Sequence, residues 1–62
     1  MKAAELKKLS VEELNAKLEE TRKDLFDLRF KHATAQLDNT SGIPATKRAI
    51  ARIMTILKEK GA

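Results

Sequence analysis

Residues 38–44 of this 62-residue chain are Asp-Asn-Thr-Ser-Gly-Ile-Pro, and they interrupt a sequence that is otherwise helical in pattern. Short polar side chains and a glycine favour a turn, because they bind nearby backbone groups or accept a positive φ. Pro44 lacks an amide hydrogen, so it belongs in the first turn of a helix rather than in its interior. The stretch therefore predicts the end of one helix and the beginning of another.

Helix one is predicted over about residues 10–37. Ser10 and Glu13 have the spacing of a capping box, and Leu9 and Leu14 have that of the accompanying hydrophobic staple. A leucine seam then recurs in steps of three and four, at Val11, Leu14, Leu18, Thr21, Leu25 and Leu28. A second apolar set, the phenylalanine stripe, lies on another side of the later half and comprises Phe26, Phe30, Ala33 and Leu37.

Helix two is predicted over about residues 44–60, after a loop over about residues 38–43, and Gly61 is placed to end it. Its apolar face comprises Ala49, Ile50, Ile53, Ile56 and Leu57. Helices joined by so short a loop lie antiparallel. The expected fold is a single all-α domain over residues 1–62, an antiparallel two-helix hairpin with a short N-terminal helical turn. Because helix two is the shorter, the early part of helix one is expected to project beyond the pair.

The composition makes an independent core difficult to build. The chain has two Phe, no Trp or Tyr, and no Cys for a disulfide or a zinc site. Small domains usually need such a staple or a partner, so a component of a larger assembly is expected. The sequence has no long uncharged apolar run, so no membrane span is expected. Met1–Ser10 is too charged for a signal peptide. The expected location is the cytoplasm.

Residue types that catalysis needs are scarce. His32 is the only histidine, and without cysteine it cannot form a metal cluster or a nucleophile–base pair. It continues the leucine seam, which predicts a packed or helix-lining role. Glu12–Glu13 and Glu19–Glu20 are adjacent pairs whose side chains diverge on a helix, unlike a convergent acid–base pair. We expect no enzyme, cofactor, metal or small-molecule substrate.

The net charge of +4 is concentrated in helix two. Residues 1–40 hold eight basic and eight acidic residues, whereas residues 41–62 hold five basic residues and one acid, Glu59. Three of these basic residues turn away from the apolar face, with small residues between them: Lys47, Arg48 and Arg52. This pattern indicates either a phosphate-binding surface or an ordinary solvated helix face. A membrane surface is less well supported, because large aromatic anchors are missing.

Phe26 and Phe30 are open to two interpretations. Aromatic side chains stack on unpaired bases in RNA-binding proteins. A spacing of four residues, beside Ala33 and Leu37, is more typical of packing. The prediction is therefore a core or protein contact.

Pieces of the sequence, taken in order, resemble a known family. They are Lys2-Ala3, Glu5-Leu6, Leu9-Ser10, Glu12-Glu13-Leu14, Leu25-Phe26, Leu28-Arg29-Phe30, Ala33-Thr34, Gln36-Leu37, Asn39-Thr40, Ile50-Ala51-Arg52-Ile53 and Thr55. This ordered set resembles the L-twenty-nine family of bacterial large-subunit ribosomal proteins. The resemblance implies an α-hairpin on large-subunit ribosomal RNA near the polypeptide exit. It also implies a neighbour, ribosomal protein twenty-three, at a rim where nascent-chain chaperone and targeting factors dock.

The resemblance also implies particular contacts. By position, the RNA-binding residues would be Arg29, Gln36, Asn39, Thr40, Lys47, Arg48 and Arg52. Independently of the resemblance, the phenylalanine stripe is expected to contact protein through Phe26, Phe30 and Leu37. The sequence departs from the family pattern at four places: Ala35 stands where glycine is frequent, and Gly42, Pro44 and Met54 stand where basic residues are common. Fewer charges imply fewer phosphate contacts at the loop.

The predicted function is a non-catalytic structural constituent of the large ribosomal subunit, in the cytoplasm. The alternative is a homodimeric interaction module, in which two hairpins form a four-helix bundle, because a lone hairpin would leave the leucine seam half covered. A coiled-coil DNA-binding fragment fits less well, because the basic residues lie on the shorter helix and not on an extension beyond a zipper.

Overall fold

The computed structural model describes residues 2–61, which form three helices, α1 (Ala3–Lys7), α2 (Val11–Ala33) and α3 (Gly42–Glu59). Helices α2 and α3 pack along each other, and α1 packs against α3. The principal extents are 39 × 17 × 14 Å, so the hairpin is elongated. The predicted all-α hairpin with a short N-terminal helix is confirmed.

Helix α2 begins at the predicted capping box. The Glu13 amide donates to Ser10 Oγ at 3.1 Å, and the Ser10 amide donates to Glu13 Oε1 at 3.4 Å. Leu9, just before the cap, packs against the core cluster that contains Leu14. Two amides that no helical carbonyl can reach are thereby satisfied by side chains.

Helix α2 ends at Ala33, earlier than the predicted end near residue 37. Ala35 has φ 60°, in the left-handed region. Its amide donates to the His32 carbonyl at 3.1 Å, and the Gln36 amide donates to the Lys31 carbonyl at 2.8 Å. This pair of bonds is a Schellman motif, which usually places glycine where Ala35 stands. Because the usual glycine signal is missing, the helix end could not be recognised from the sequence.

Residues 34–41 link the two long helices, and the predicted loop over 38–43 is therefore displaced towards the N-terminus. The Ser41 amide donates to Asn39 Oδ1 at 2.9 Å, an Asx turn that leads the chain into α3. Helix α3 begins at Gly42, before the predicted residue 44, and Pro44 lies in its first turn as expected. Gly61 has φ 79° and follows the C-terminal cap at Lys60, which confirms its predicted role.

The leucine seam of α2 faces α3. The core comprises Leu6, Leu14, Leu18, Ile53, Ile56 and Leu57. Thr21 is buried beside them, and its hydroxyl donates to the Lys17 carbonyl at 2.7 Å, so its polar group is satisfied. Helix α1 contributes Leu6, which is only 2% exposed.

The expectation that the early part of helix one projects beyond the pair is wrong. Leu14 near the start of α2 and Ile53 in the second half of α3 are both fully buried. The loop end is more open, since Leu25 and Leu28 are only partly buried. The reason is that α2 is shorter than predicted at its C-terminal end, α3 begins earlier, and α1 covers the opposite end of the hairpin.

His32 does not pack. It continues the leucine seam by position, but the structure leaves it exposed. The first residue of α3, Gly42, already lies beside Leu28, one helical turn before His32. Within residues 2–61 no helix faces the seam beyond that point, so the predicted packed role of His32 is wrong.

Candidate nucleic-acid interface

The outer face of α3 carries exposed basic and small side chains. Arg48 and Arg52 are exposed, and so are Ala51 and Thr55 between and after them. The Thr55 hydroxyl donates to the Ala51 carbonyl at 2.8 Å, which holds this side chain close to its own helix. A polyanion could therefore approach the helix backbone between the arginines.

The three predicted cations of α3 do not form one cluster. Arg48 and Arg52 are one turn apart, and with Ala45 and Ala49 they line a shallow depression that we call the arginine surface. Lys47 is also exposed, but it is separated from Arg48 by about 100° around the helix. The structure thus brings two of the three side chains together and directs Lys47 to another flank.

Ion pairing distinguishes the two long helices. On α2, Arg22 lies 3.6 Å from Glu19 and Lys31 lies 3.0 Å from Asp27, both pairs being exposed. Across residues 2–61, Lys47 and Arg48 make no ion pair, and the only acid of α3 is Glu59 near its end. The first two turns of α3, which hold Lys47 and Arg48, therefore keep a positive charge that no ion pair offsets within residues 2–61.

The other predicted RNA-binding residues lie on the surface. Arg29 is exposed in the later part of α2, and three more are exposed in the link: Gln36, Asn39 and Thr40. The Asn39 oxygen is used by the Ser41 amide, which leaves the side-chain NH₂ group as a donor. These residues lie at the loop end, next to the N-terminus of α3. Their contact with RNA stays a prediction.

Three members of the phenylalanine stripe are exposed on α2: Phe26, Phe30 and Ala33. Phe26 is 74% exposed and Phe30 is 56% exposed, so neither belongs to the hairpin core. Leu37 lies in the link, outside the helix, and is partly buried. Because α2 ends at Ala33, Leu37 does not continue the stripe by helical periodicity. Two large neighbouring apolar side chains in water indicate a contact surface rather than ordinary packing.

A groove of about 290 Å³ separates α1 from α3. It is lined by Ala3 and Lys7 of α1 and by Ala51, Arg52, Thr55, Ile56 and Glu59 of α3. Lys7 was not a predicted site residue. No local pattern could have identified it, because its position beside Arg52 depends on how α1 folds back onto α3.

Between residues 2 and 61 no three His, Cys, Asp or Glu side chains come together as a metal site would require. None of the helices in that range has the length and apolar character needed to cross a bilayer.

The protein is a small helical hairpin with exposed basic residues on α3 and two exposed phenylalanines on α2. This combination is typical of a structural ribosomal protein. Comparison with known proteins agrees, because the family described as Ribosomal L29 protein matches residues 4–60. The chain belongs to this family. As a member, it is a structural, non-enzymatic constituent of the large ribosomal subunit in the cytoplasm, which confirms the predicted class.

Curated relatives extend over almost the whole chain. A protein of Oleidesulfovibrio alaskensis is 74% identical over 62 residues, which is all of both chains. One of Nitratidesulfovibrio vulgaris is 72% identical over 98% of this chain and all of its own length. One of Rubrobacter xylanophilus is 53% identical over 97% of this chain and 90% of its own. Each is named large ribosomal subunit protein uL29.

Proposed function

We propose that this protein binds large-subunit ribosomal RNA near the polypeptide exit, through the outer face of α3 and the link 34–41. The observation that carries the proposal is the positive charge of α3: Lys47 and Arg48 make no ion pair within residues 2–61. Membership of a ribosomal family and the names of the relatives support ribosomal RNA as the polyanion.

Phosphate neutralisation is the chemistry of this interface. Lysine and arginine displace counterions condensed on the nucleic acid, which contributes affinity without reading sequence. The small residues Ala45, Ala49 and Ala51 leave space beside the arginines for the sugar–phosphate backbone. The protein would thus recognise the shape of folded RNA rather than its bases.

The phenylalanine stripe is the proposed protein-binding surface. The exposure of Phe26 and Phe30 supports contact with a neighbouring protein, and the family resemblance indicates ribosomal protein twenty-three. Together the two proteins would form the rim on which nascent-chain chaperone and targeting factors dock. Replacing Phe26 by Ser should weaken binding to purified ribosomal protein twenty-three while leaving the affinity for RNA unchanged, and equal binding by both forms would contradict this assignment.

The homodimeric alternative loses its main support. It depended on a leucine seam left half covered by a single hairpin. Leu14 is fully buried and Leu18 is 8% exposed within one chain, so the early half of the seam needs no second copy.

Salt-dependent binding tests the RNA proposal. The affinity of the purified protein for protein-free large-subunit ribosomal RNA should fall as salt rises. Arg48→Ala should reduce the slope of log affinity against log salt by about 0.7–0.9, the contribution of one phosphate. Arg22→Ala is the matched control, because Arg22 is an exposed arginine of α2 already paired with Glu19. Equal slopes for the two variants, or no binding by the original protein, would refute the proposal.

A further inference from the structure

We infer that the groove between α1 and α3 is a second site for the RNA backbone, in which Lys7 and Arg52 bind a phosphate. The two cations come from different helices and line the same groove. This inference rests on the proposed function and adds to it a helix, α1, that nothing in the sequence pattern connects with RNA.

Lys7 is held in place by the core. It is preceded by Leu6, which is 2% exposed and packs in the core cluster with residues of α2 and α3. Helix α1 is too short to be stable alone, so this anchor determines where Lys7 lies. Within residues 2–61 Lys7 makes no ion pair, and its ammonium group is therefore available to an anion.

The remainder of the groove fits a ribose. Ala3, Ala51 and Thr55 are small residues that leave room for a sugar. The Thr55 hydroxyl donates its hydrogen to the Ala51 carbonyl, so the hydroxyl oxygen remains available as an acceptor. Glu59, the only acid among the described residues of the lining, is likewise an acceptor and fits a hydroxyl rather than a phosphate. Acceptors near the cations are suited to the ribose 2′-hydroxyl, which distinguishes RNA from DNA.

RNA is the occupant that the surroundings favour. Arg52 lines both the groove and the arginine surface, so the two depressions are neighbours on α3. Among the described residues of the lining, two cations, Lys7 and Arg52, stand against one acid, Glu59. A single backbone strand could therefore run from the arginine surface into the groove.

Neutralising Lys7 is the first test, with Lys8 as its matched control. Lys8 is the next residue, is exposed and does not line the groove. In salt titrations of the full chain with protein-free large-subunit ribosomal RNA, Lys7→Gln should lower the slope by about 0.7–0.9. Lys8→Gln should leave it unchanged. Circular dichroism of both variants would verify that the helical content is retained.

Two substitutions that leave the charge unchanged test the shape of the groove and the role of the Thr55 hydroxyl as an acceptor. Ala3→Leu should fill the groove and weaken binding, whereas Ala4→Leu, on the exposed neighbour outside the lining, should not. Thr55→Val should lower the affinity severalfold without changing the salt slope, because it removes the hydroxyl but no charge. Thr55→Ser keeps the hydroxyl and should restore the affinity.

The outcomes separate this inference from the proposed function. Suppose that Lys7→Gln has the same salt slope as Lys8→Gln, and Ala3→Leu the same RNA affinity as Ala4→Leu, while Arg48→Ala still lowers the slope. The groove is then not an RNA site, and the interface on α3 stands. If the original protein does not bind ribosomal RNA at any salt concentration, both proposals fall.

Discussion

Gly42 and Leu28 lie against each other at the loop end of the hairpin, and a β-carbon built on Gly42 would be 3.5 Å from Leu28 Cδ1. This distance is an ordinary van der Waals contact, so the site has room for a methyl group. The pair also marks where α3 first meets α2. It explains why Leu28 is partly covered while His32, one turn further, is exposed.

Gly42→Ala should stabilise the protein. Gly42 has no positive φ and is the first residue of α3, so alanine would restrict the unfolded chain without straining the folded one. The free energy of unfolding should rise by about 0.4–1 kcal/mol in urea titrations followed by circular dichroism. Gly61→Ala is the opposite case, because the φ of 79° at Gly61 disfavours a side chain. This substitution should lower the free energy of unfolding. A change of the same sign in both variants would contradict the argument.

Ala35→Gly should also stabilise the protein. Ala35 adopts a left-handed backbone conformation in the Schellman motif, and its β-carbon makes that conformation unfavourable. Glycine has no β-carbon and avoids this strain. We expect the free energy of unfolding to rise by about 0.5–1 kcal/mol. The control is Ala16→Gly on the exposed surface of α2, which should lower it by about 1 kcal/mol. If Ala35→Gly destabilises as much as Ala16→Gly, the positive φ is absent in solution.

Removing the two serines at the helix starts should have unequal effects. Ser10→Ala deletes the side-chain acceptor of the capping box and should lower the free energy of unfolding by about 1 kcal/mol. Ser41→Ala should be nearly neutral, because Ser41 makes no side-chain cap bond at the start of α3. Thermal melts of the two variants would compare them directly, and a larger loss for Ser41→Ala would rule out this account of capping.

Arg52 should act on RNA mainly through its charge. Arg52→Ala should reduce the salt slope of binding to ribosomal RNA by about 0.7–0.9, whereas Arg52→Lys should preserve it. Lysine retains a positive charge but loses the planar fork of donors, so a fall in affinity at constant slope would report a bidentate contact. An unchanged slope in Arg52→Ala would remove this residue from the interface.

Local signals allowed much of the fold to be predicted. Ser10 with Glu13 forms its contacts within a few residues and Gly61 follows the end of α3 directly, so their positions along the chain were sufficient. The end of α2 was misplaced because Ala35 adopts a conformation that its residue type does not signal. The exposure of the basic residues of α3 followed from the position of its isoleucine face. The structure was needed to show that Arg48 and Arg52 line one depression while Lys47 lies on another flank of the helix.

The helical character of the chain, the capping box and the segregation of charge were properties of the sequence itself, because each depends on residue types or on residues close together along the chain. The burial of Leu6, the exposure of His32 and the presence of Lys7 and Arg52 in one groove came only from the tertiary structure. Each of these depends on where α1 and α3 meet residues far from them in sequence. The free energy that holds them there comes from burial of apolar surface, which is non-directional and set by the whole hairpin rather than by any local pattern.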